Sequence, residues 1–303
     1  MGGSMFIHVF GAYFGIVCAR VLYTNKTQEA SHKETSVYNS DLFAMIGTTF
    51  IWIYWPSFNA ALAPRGANQH RTVINTYYAL TSCTVTSFAI SSLVDENGRF
   101  HMVHIQNSTL AGAVAVGTLV NMMIQPWGAL LVGFMASIVS VLGYRYITPA
   151  LARARFHDSC GINNLHGMPG LIGSIGGIVA TYLATEADYG YSLYEIFPAR
   201  APELNSTRYS DMIKVLRVEP GLDRTALSQA AWQGAALGTT LVIAIFGGIV
   251  VGLILRLPFL NPPRKDQLFD DTDYWILPEE GFPGSVSVDL SNAQLNNTII
   301  SKL

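Results

Sequence analysis

The sequence predicts an all-α membrane protein, and three observations favour that class. Half of the 303 residues are apolar and 13% are charged, about half the charged fraction of a soluble domain. Long stretches carry no charge. Their apolar residues run continuously instead of alternating, which favours helices over barrel strands. The composition argues against a soluble enzyme, a disordered chain and a disulfide scaffold. The 18 basic and 20 acidic residues nearly balance, so no nucleic-acid partner is predicted.

Seven transmembrane helices are predicted, because about 20 apolar residues cross the hydrocarbon core as a helix. The long uncharged stretches cover residues 1–19, 42–64, 72–94, 100–144, 159–185 and 225–255. The longest holds two helices, hinged at Gln125-Pro126-Trp127. The predicted spans cover residues 4–23, 42–62, 72–94, 103–123, 127–147, 161–184 and 229–256. Helices buried in a large soluble protein would need charged outer faces, which these segments lack.

The orientation follows from Lys and Arg, which concentrate on the cytoplasmic side of membrane proteins. Eleven of them fall on the side of the C-terminus and seven on the other. We therefore expect a multi-pass protein of the plasma membrane, with a transmembrane domain at 1–256 and a cytoplasmic tail at 257–303. The loop 186–228 then lies outside, and its sequon makes Asn205 the candidate N-glycosylation site.

No cofactor and no metal site is predicted. The three cysteines have no metal-ligand spacing, and Cys18 and Cys83 fall inside spans, where small buried thiols are usual. Glycines at three- and four-residue spacing recur in the spans and indicate closely packed helices. They explain a compact bundle without pointing to a function.

His8 and His166 are the strongest candidate functional residues. Each lies inside a predicted span, in Phe-Ile-His-Val-Phe and in Asn-Asn-Leu-His-Gly respectively, without an adjacent acidic residue. Ionisable groups are costly inside a membrane and are functional candidates by default. Burial disfavours the imidazolium form, and a neutral imidazole keeps one donor and one acceptor nitrogen. The two residues are thus candidates for a polar relay that passes a proton or a small solute. Packing roles and haem ligation by the pair are alternatives, whereas a metal site would want a third ligand.

Phe58 lies near the outer end of the second span, two residues after Pro56. Proline interrupts the hydrogen-bond ladder of a helix and frees carbonyl groups. The alternative interpretation is an aromatic belt at the membrane interface, for which Trp52, Tyr54 and Trp55 qualify. Periodicity alone does not select Phe58.

At these residues the sequence resembles the Rh glycoproteins of the ammonium transporter superfamily. The matching segments are residues 2–15, 40–47, 54–59, 103–112 and 160–167, in that order. The Asn-Asn-Leu-His motif is similar to the Rh branch rather than to bacterial or plant ammonium transporters. The resemblance extends from residue 2 to about Trp275.

The resemblance implies a homotrimer or an Rh-family heterotrimer in the lipid bilayer, with a narrow hydrophobic pore through each subunit. His8 and His166 would face each other midway along the pore, and Phe58 would be one of two stacked phenylalanines at its outer end. Asp41 matches an acidic residue near the inner vestibule. Asp158 matches an Asp just before the second histidine helix, and we interpret it as a helix-start residue.

The same resemblance implies a transport reaction. Ammonium would lose its proton at the pore mouth, because dehydrating the ion is costly, and neutral ammonia would cross. Carbon dioxide is a further candidate substrate of the Rh branch. The protein is therefore not expected to be an enzyme.

The resemblance also implies a longer architecture than this chain holds. Family members have about eleven or twelve spans in two inverted repeats, and this match starts inside the fifth helix. We therefore interpret the chain as N-terminally truncated. Inverted-repeat transporters place their site at the repeat interface, so the isolated chain is expected to conduct poorly.

Two other functions are alternatives to transport. A seven-helix receptor would carry an Asp-Arg-Tyr-like motif after the third span and Asn-Pro-x-x-Tyr in the seventh, and both are missing from this sequence. A non-conducting structural Rh relative would have lost the pore histidines, but this chain keeps both.

Overall fold

The computed structural model describes residues 1–190, 192–213, 218–260, 262–264, 267–271 and 274–275, except for the side chain of Gln28. Every regular element in these residues is helical, which confirms the predicted all-α class. In chain order the helices are α1 (Ser4–Leu22), α2 (Asn25–Ala30), α3 (Tyr38–Ala60), α4 (Ala67–Val94), α5 (Met102–Ser108), α6 (Ala111–Val116), α7 (Gln125–Arg153), α8 (163–183), α9 (Glu186–Tyr189), α10 (Ser192–Ile196), α11 (Thr207–Met212) and α12 (Ala226–Leu255).

Residues Met1–Pro262 form one compact unit that is built from two groups of helices. In the first group α4 packs along α7 and also contacts α3 and α6. In the second group α1 packs along α12. Helix α8 contacts α6, α7 and α12, so it joins the two groups.

Two glycines allow helix backbones to touch. A Cβ atom added to Gly133 of α7 would overlap the carbonyl oxygen of Ala79 in α4. A Cβ atom added to Gly173 of α8 would overlap the carbonyl oxygen of Ala115 in α6. Small residues at such points let membrane helices approach closely. The glycine-rich spans therefore act in packing, as their spacing indicates.

The predicted span over 103–123 is not one continuous helix. Helix α5 ends at Ser108, and α6 begins only at Ala111. The Thr109 hydroxyl donates to the carbonyl of Ile105 at 2.7 Å, while the Thr109 amide reaches the same oxygen at 3.4 Å. A side chain that takes the carbonyl of the preceding turn competes with the backbone ladder. The next amide, that of Leu110, donates to the carbonyl of Asn107, three positions back instead of four.

Three helices of the described residues are long and apolar enough to cross a membrane, namely Ser4–Leu22, Gln125–Arg153 and Ala226–Leu255. Helix α4 is 28 residues long, but its Ser, Thr and Asn residues make it less apolar. Helix α8 begins with Asn-Asn-Leu-His and contains five glycines within 167–177. Seven spans therefore remain a prediction.

Residues Pro263–Leu303 form a second unit, of which 263–264, 267–271 and 274–275 are described. In it the indole N–H of Trp275 donates to the carboxylate of Asp271 at 2.9 Å. Most of the predicted cytoplasmic tail, residues 276–303, lies outside the described residues.

Candidate functional site

His8 and His166 lie in equivalent local structures. Ser4–Val9 forms a π-helical turn at the start of α1, and Asn163–Gly167 forms another at the start of α8. The hydrogen bonds of such a turn span five residues instead of four, and π-helical turns are frequent at functional sites. Each histidine is therefore presented by a widened turn near the beginning of its helix.

The two imidazole rings face each other in parallel. Their centroids lie 5.0 Å apart with an interplanar angle of 5°, and their Nδ1 atoms lie 3.0 Å apart. This is a hydrogen-bond distance, so one ring donates its Nδ1–H and the other accepts it. In two neutral rings, the donor then has a bare Nε2 and the acceptor has an Nε2–H. The pair thus offers one acceptor and one donor nitrogen to its surroundings.

The Nε2 atom of His8 is the part of this pair that is able to form a further hydrogen bond. The His8 side chain is 8% exposed, and its buried Nε2 has no hydrogen-bond partner among the described residues. A buried polar atom without a partner is rare in native proteins and calls for an explanation. A small polar solute that forms a single hydrogen bond would satisfy this nitrogen.

Helix α3 places two aromatic side chains beside His8. The Trp55 ring stacks 5.9 Å from the His8 ring at an angle of 29°, and Trp55 is 8% exposed. The Phe58 ring lies 6.5 Å from the His8 ring, edge-on, and 6.3 Å from the Trp55 ring. Phe58 is half exposed. The aromatic surfaces therefore cover one side of the His8 ring.

Sequence reasoning misses Trp55 as a site residue, because a tryptophan near a span end fits an interfacial belt. Trp55 and Phe58 are three positions apart, which places them on one helix face. The spacing of three residues was the signal in the sequence that could have identified Trp55 as a site residue. The neighbouring Trp52 instead donates to the Thr84 hydroxyl at 3.0 Å, between α3 and α4, and Tyr54 is exposed.

Ser4 and Gly170 hold the π-helical turn of α1 in place. The buried Ser4 hydroxyl donates to the carbonyl of Val114 at 2.6 Å and accepts the amide of Thr118 at 2.8 Å. On the other side, a Cβ atom added to Gly170 of α8 would lie 2.8 Å from Cγ2 of Val9. The turn that carries His8 is thus hydrogen-bonded to the α6 region and packed directly on α8.

Asp41 is tied to α5 and not to the histidine pair. Its carboxylate accepts hydrogen bonds from Nε2 of Gln106 at 3.3 Å and from the Ser36 hydroxyl. Gln106 is buried, and its Oε1 has no partner among the described residues. Asp41 precedes Trp55 by 14 residues in α3, which is about 21 Å along a helix. The carboxylate therefore lies at the other end of α3 from the aromatic pair.

Asp158 caps the start of α8. Its two carboxylate oxygens accept the amides of Ile162 at 2.8 Å and Asn163 at 3.0 Å. Burial raises the pKa of this carboxyl, and the hydrogen bonds from the helix amides oppose that shift. Asp158 thus fixes the turn that carries His166 without touching the imidazole.

Asn205 is exposed and lies between α10 and α11. The hydroxyl of Ser206, the middle residue of the sequon, accepts the amide of Tyr209 at 3.1 Å and so caps α11. The asparagine side chain is accessible at a helix start.

The described residues contain no group of three or more His, Cys, Asp and Glu side chains that is able to hold a metal ion. Two imidazoles that ligate one haem iron from opposite faces bind it at about 2.0 Å each, so their nitrogens lie about 4 Å apart. The 3.0 Å between the two Nδ1 atoms is a hydrogen bond instead. This distance argues against haem ligation between the two rings.

Comparison with known proteins identifies the family. The profile of the Ammonium Transporter Family matches residues 1–265. The chain belongs to the ammonium transporter family. Ammonium transporter Rh type B of Rattus norvegicus is 50% identical over 280 residues, which cover 92% of this chain and 57% of the relative. The Homo sapiens protein of that name is 49% identical with the same coverage. This ammonium transporter chain thus spans little more than half the length of these relatives.

Solved structures of similar proteins share the fold of this ammonium transporter chain. Rh50 of Nitrosomonas europaea, described with conduction by the Rhesus family of channels, matches with a TM-score of 0.66 and 27% identity, over 100% of this chain and 65% of that chain. Mep2 of Saccharomyces cerevisiae matches with a TM-score of 0.62 and 18% identity, over 86% and 52% of the two chains. Because the chain belongs to this transporter family, a seven-helix receptor is no longer an alternative.

Proposed function

We propose that this chain supplies one wall of a pore that conducts ammonia across a membrane, with His8 and His166 at its centre. The observation that carries the proposal is the 3.0 Å contact between the two Nδ1 atoms beside an unpaired Nε2 of His8. Ammonia both donates and accepts hydrogen bonds, and the pair offers one nitrogen of each kind. The match between solute and site supports transport of ammonia rather than catalysis.

The proposed mechanism begins when an ammonium ion releases its proton to the water outside the passage. An ammonium ion that enters an apolar passage loses its hydration at a large cost, whereas neutral ammonia does not carry that penalty. The pair then hydrogen-bonds the solute, with the bare Nε2 of one ring accepting from it and the Nε2–H of the other donating to it. Phe58 narrows the passage at one end beside Trp55. Asp41 adds negative charge toward the other end, which favours ammonium over anions there.

The proposed setting follows the resemblance to Rh proteins. The complete pore forms in a homotrimer or an Rh-family heterotrimer in the plasma membrane, with its C-terminus in the cytoplasm and a glycan on Asn205. Carbon dioxide is a second proposed solute. The isolated chain is proposed to conduct poorly, because Phe6 (66% exposed), Ile7 (53%) and Phe58 (49%) leave the neighbourhood of His8 uncovered on one side.

The test uses a chimera in which this chain replaces the 280 aligned residues of the rat Rh type B relative. Ammonia-driven pH changes are followed by stopped-flow fluorescence in proteoliposomes. We expect flux through the chimera and little flux through the chain alone. His166→Ala in the chimera is expected to reduce flux about tenfold or more, since losing one hydrogen bond of about 1.4 kcal/mol equals that factor.

The matched control is His70→Ala, which removes an exposed histidine of α4 outside the pair. It is expected to leave flux unchanged. Undiminished flux in the His166→Ala chimera would show that the pair does not conduct. The same vesicles exposed to a carbon dioxide gradient test the second solute separately.

A further inference from the structure

A polar cavity separate from the His8–His166 pair lies at the end of the helix bundle where α4 ends and α5 begins. Its volume is about 280 Å³, and it is lined by Ser91, Val94, Asp95, His101, Val103, His104, Tyr144, Arg145 and Pro149. Asn68, at the opposite end of α4, bonds to Glu195. A helix of 28 residues is about 42 Å long, so this cavity and the 186–228 segment lie at opposite ends of α4.

Ser91 organises two histidines on the wall of this cavity. Its hydroxyl oxygen accepts the backbone amide of His101 at 3.1 Å and lies 3.1 Å from Nδ1 of His104. The two imidazole rings stack with their centroids 4.7 Å apart. When the hydroxyl donates its proton to Nδ1 of His104, the neutral ring carries its own proton on Nε2. His104 is 8% exposed, so the serine holds a buried imidazole in place.

Arg145 adds a positive charge to the wall of this cavity. No acidic side chain of the described residues forms an ion pair with it. It lies in the π-helical turn Gly143–Ile147 and is exposed. The acidic residue of the cavity, Asp95, is already engaged. Its Oδ1 accepts the amides of Asn97 at 2.9 Å and Arg99 at 3.0 Å, and Nε of Arg99 lies 3.5 Å away. This carboxylate is therefore already hydrogen-bonded and paired with Arg99, and Arg145 is left as the guanidinium of the cavity wall.

We propose that this cavity binds the oxyanion of a phosphate group, carried either by a membrane lipid or by free phosphate. A guanidinium group binds phosphate oxygens through two parallel N–H donors, and the two imidazoles add donors from one side. The cavity volume accommodates a phosphate group together with part of a headgroup. None of these residues belongs to the His8–His166 site, so the proposal is independent of ammonia conduction.

Apolar side chains beside the cavity are suited to the acyl part of a lipid. Leu93 is 78% exposed and Phe100 is 62% exposed. The Phe100 ring packs edge-on against Phe88 of α4 at 5.2 Å. A lipid whose phosphate meets Arg145 would lay its chains along this face of α4.

The test measures binding to the full chain in a maltoside detergent that contains no phosphate. Isothermal titration with inorganic phosphate detects the free anion. Native mass spectrometry compares retention of phosphatidic acid with retention of diacylglycerol, which lacks the phosphate. We expect phosphatidic acid or inorganic phosphate to bind, and diacylglycerol to be retained less. The ligand that binds identifies the source of the oxyanion.

Two variants locate the site. Arg145→Gln and His101→Gln are each expected to weaken binding about tenfold, the factor that corresponds to one charge-assisted hydrogen bond. Arg153→Gln removes an exposed arginine at the end of α7 and is expected to leave binding unchanged. Thermal unfolding checks that each variant is folded. Equal losses in Arg145→Gln and Arg153→Gln, or no binding to the unchanged chain, would overturn the proposal.

Discussion

The Nδ1 atom of His8 lies 3.0 Å from the Nδ1 atom of His166, although 158 positions separate the two residues in the chain. Two neutral rings can share a proton at this distance only if their tautomers differ. We predict that one residue is the Nδ1–H tautomer and the other the Nε2–H tautomer at neutral pH. Solid-state 15N NMR of histidine-labelled chain, assigned with His8→Gln and His166→Gln, measures this. Two Nε2–H tautomers would contradict the hydrogen bond.

Gly173→Ala is predicted to destabilise the protein. The added methyl group would overlap the carbonyl oxygen of Ala115, and such overpacking costs about 1–3 kcal/mol. Gly238→Ala in α12 is the matched control, because no atom lies within 4 Å of its added Cβ, and alanine favours a helix by about 1 kcal/mol over glycine. Thermal unfolding in detergent should show a lower melting temperature for Gly173→Ala than for the unchanged chain, and no decrease for Gly238→Ala. Equal melting temperatures would mean that α6 and α8 are not in backbone contact.

Trp55→Ala is predicted to lower the free energy of unfolding by about 3–5 kcal/mol, the usual cost of emptying a buried aromatic site. Trp127→Ala removes the same side chain from a position that is 68% exposed and should change stability little. Denaturant titration of both variants provides the comparison. A small effect of Trp55→Ala would show that the ring is not packed on His8.

Asp158 is predicted to make stability depend on pH. Burial raises the pKa of its carboxyl above the unfolded value, so folding disfavours the ionised form. The stabilisation linked to the protonated form is complete below the unfolded pKa and is lost as pH rises through the folded pKa. Asp158→Asn removes this titration and should flatten the pH dependence of the melting temperature above the unfolded pKa of 3.8, relative to the unchanged chain. An unaltered pH profile would contradict a raised pKa.

Asp158→Ala tests the cap itself. The substitution removes both acceptors of the Ile162 and Asn163 amides, and losing a helix cap costs about 0.5–2 kcal/mol. Ser159→Ala, at the adjacent exposed position, is expected to have no comparable effect. Thermal unfolding at one fixed pH compares the two variants. Equal melting temperatures would show that the cap contributes nothing.

The sequence predicts the class of this fold and the centre of its site for physical reasons. Charge is expelled from apolar helices, so the uncharged stretches mark most of the long helices. An ionisable residue survives inside such a stretch only when something requires it, which makes His8 and His166 candidates before any geometry is known, although His101 and His104 lie in such a stretch too. Their mutual contact follows from the family resemblance and not from the two local patterns.

Other features depend on contacts that no local pattern contains. The break after Ser108 lies where the Thr109 hydroxyl takes the Ile105 carbonyl, but the same side-chain bond forms at Thr76 and Thr84 inside the unbroken helix α4, so a threonine inside an apolar run is no certain sign of a break. The hydrogen bond between Gln106 and Asp41 joins residues 65 positions apart. Trp55 is buried because its ring packs among Leu80, Leu110 and Val114 and stacks on His8, so its side chain looks interfacial until the neighbouring helices are present.

The π-helical turns at Ser4–Val9 and Asn163–Gly167 make the contact between His8 and His166 sensitive to chain length. Each turn accommodates extra backbone, so the helix can absorb the deletion of one residue by tightening to an ordinary α-helical turn. Such a deletion would leave the helix on both sides in register and would shift only the residues of the turn itself, the histidine among them. A histidine retained in the sequence would then point away from its partner. For comparisons among relatives, the placement of a single-residue gap in either segment is therefore as informative as the presence of the histidine.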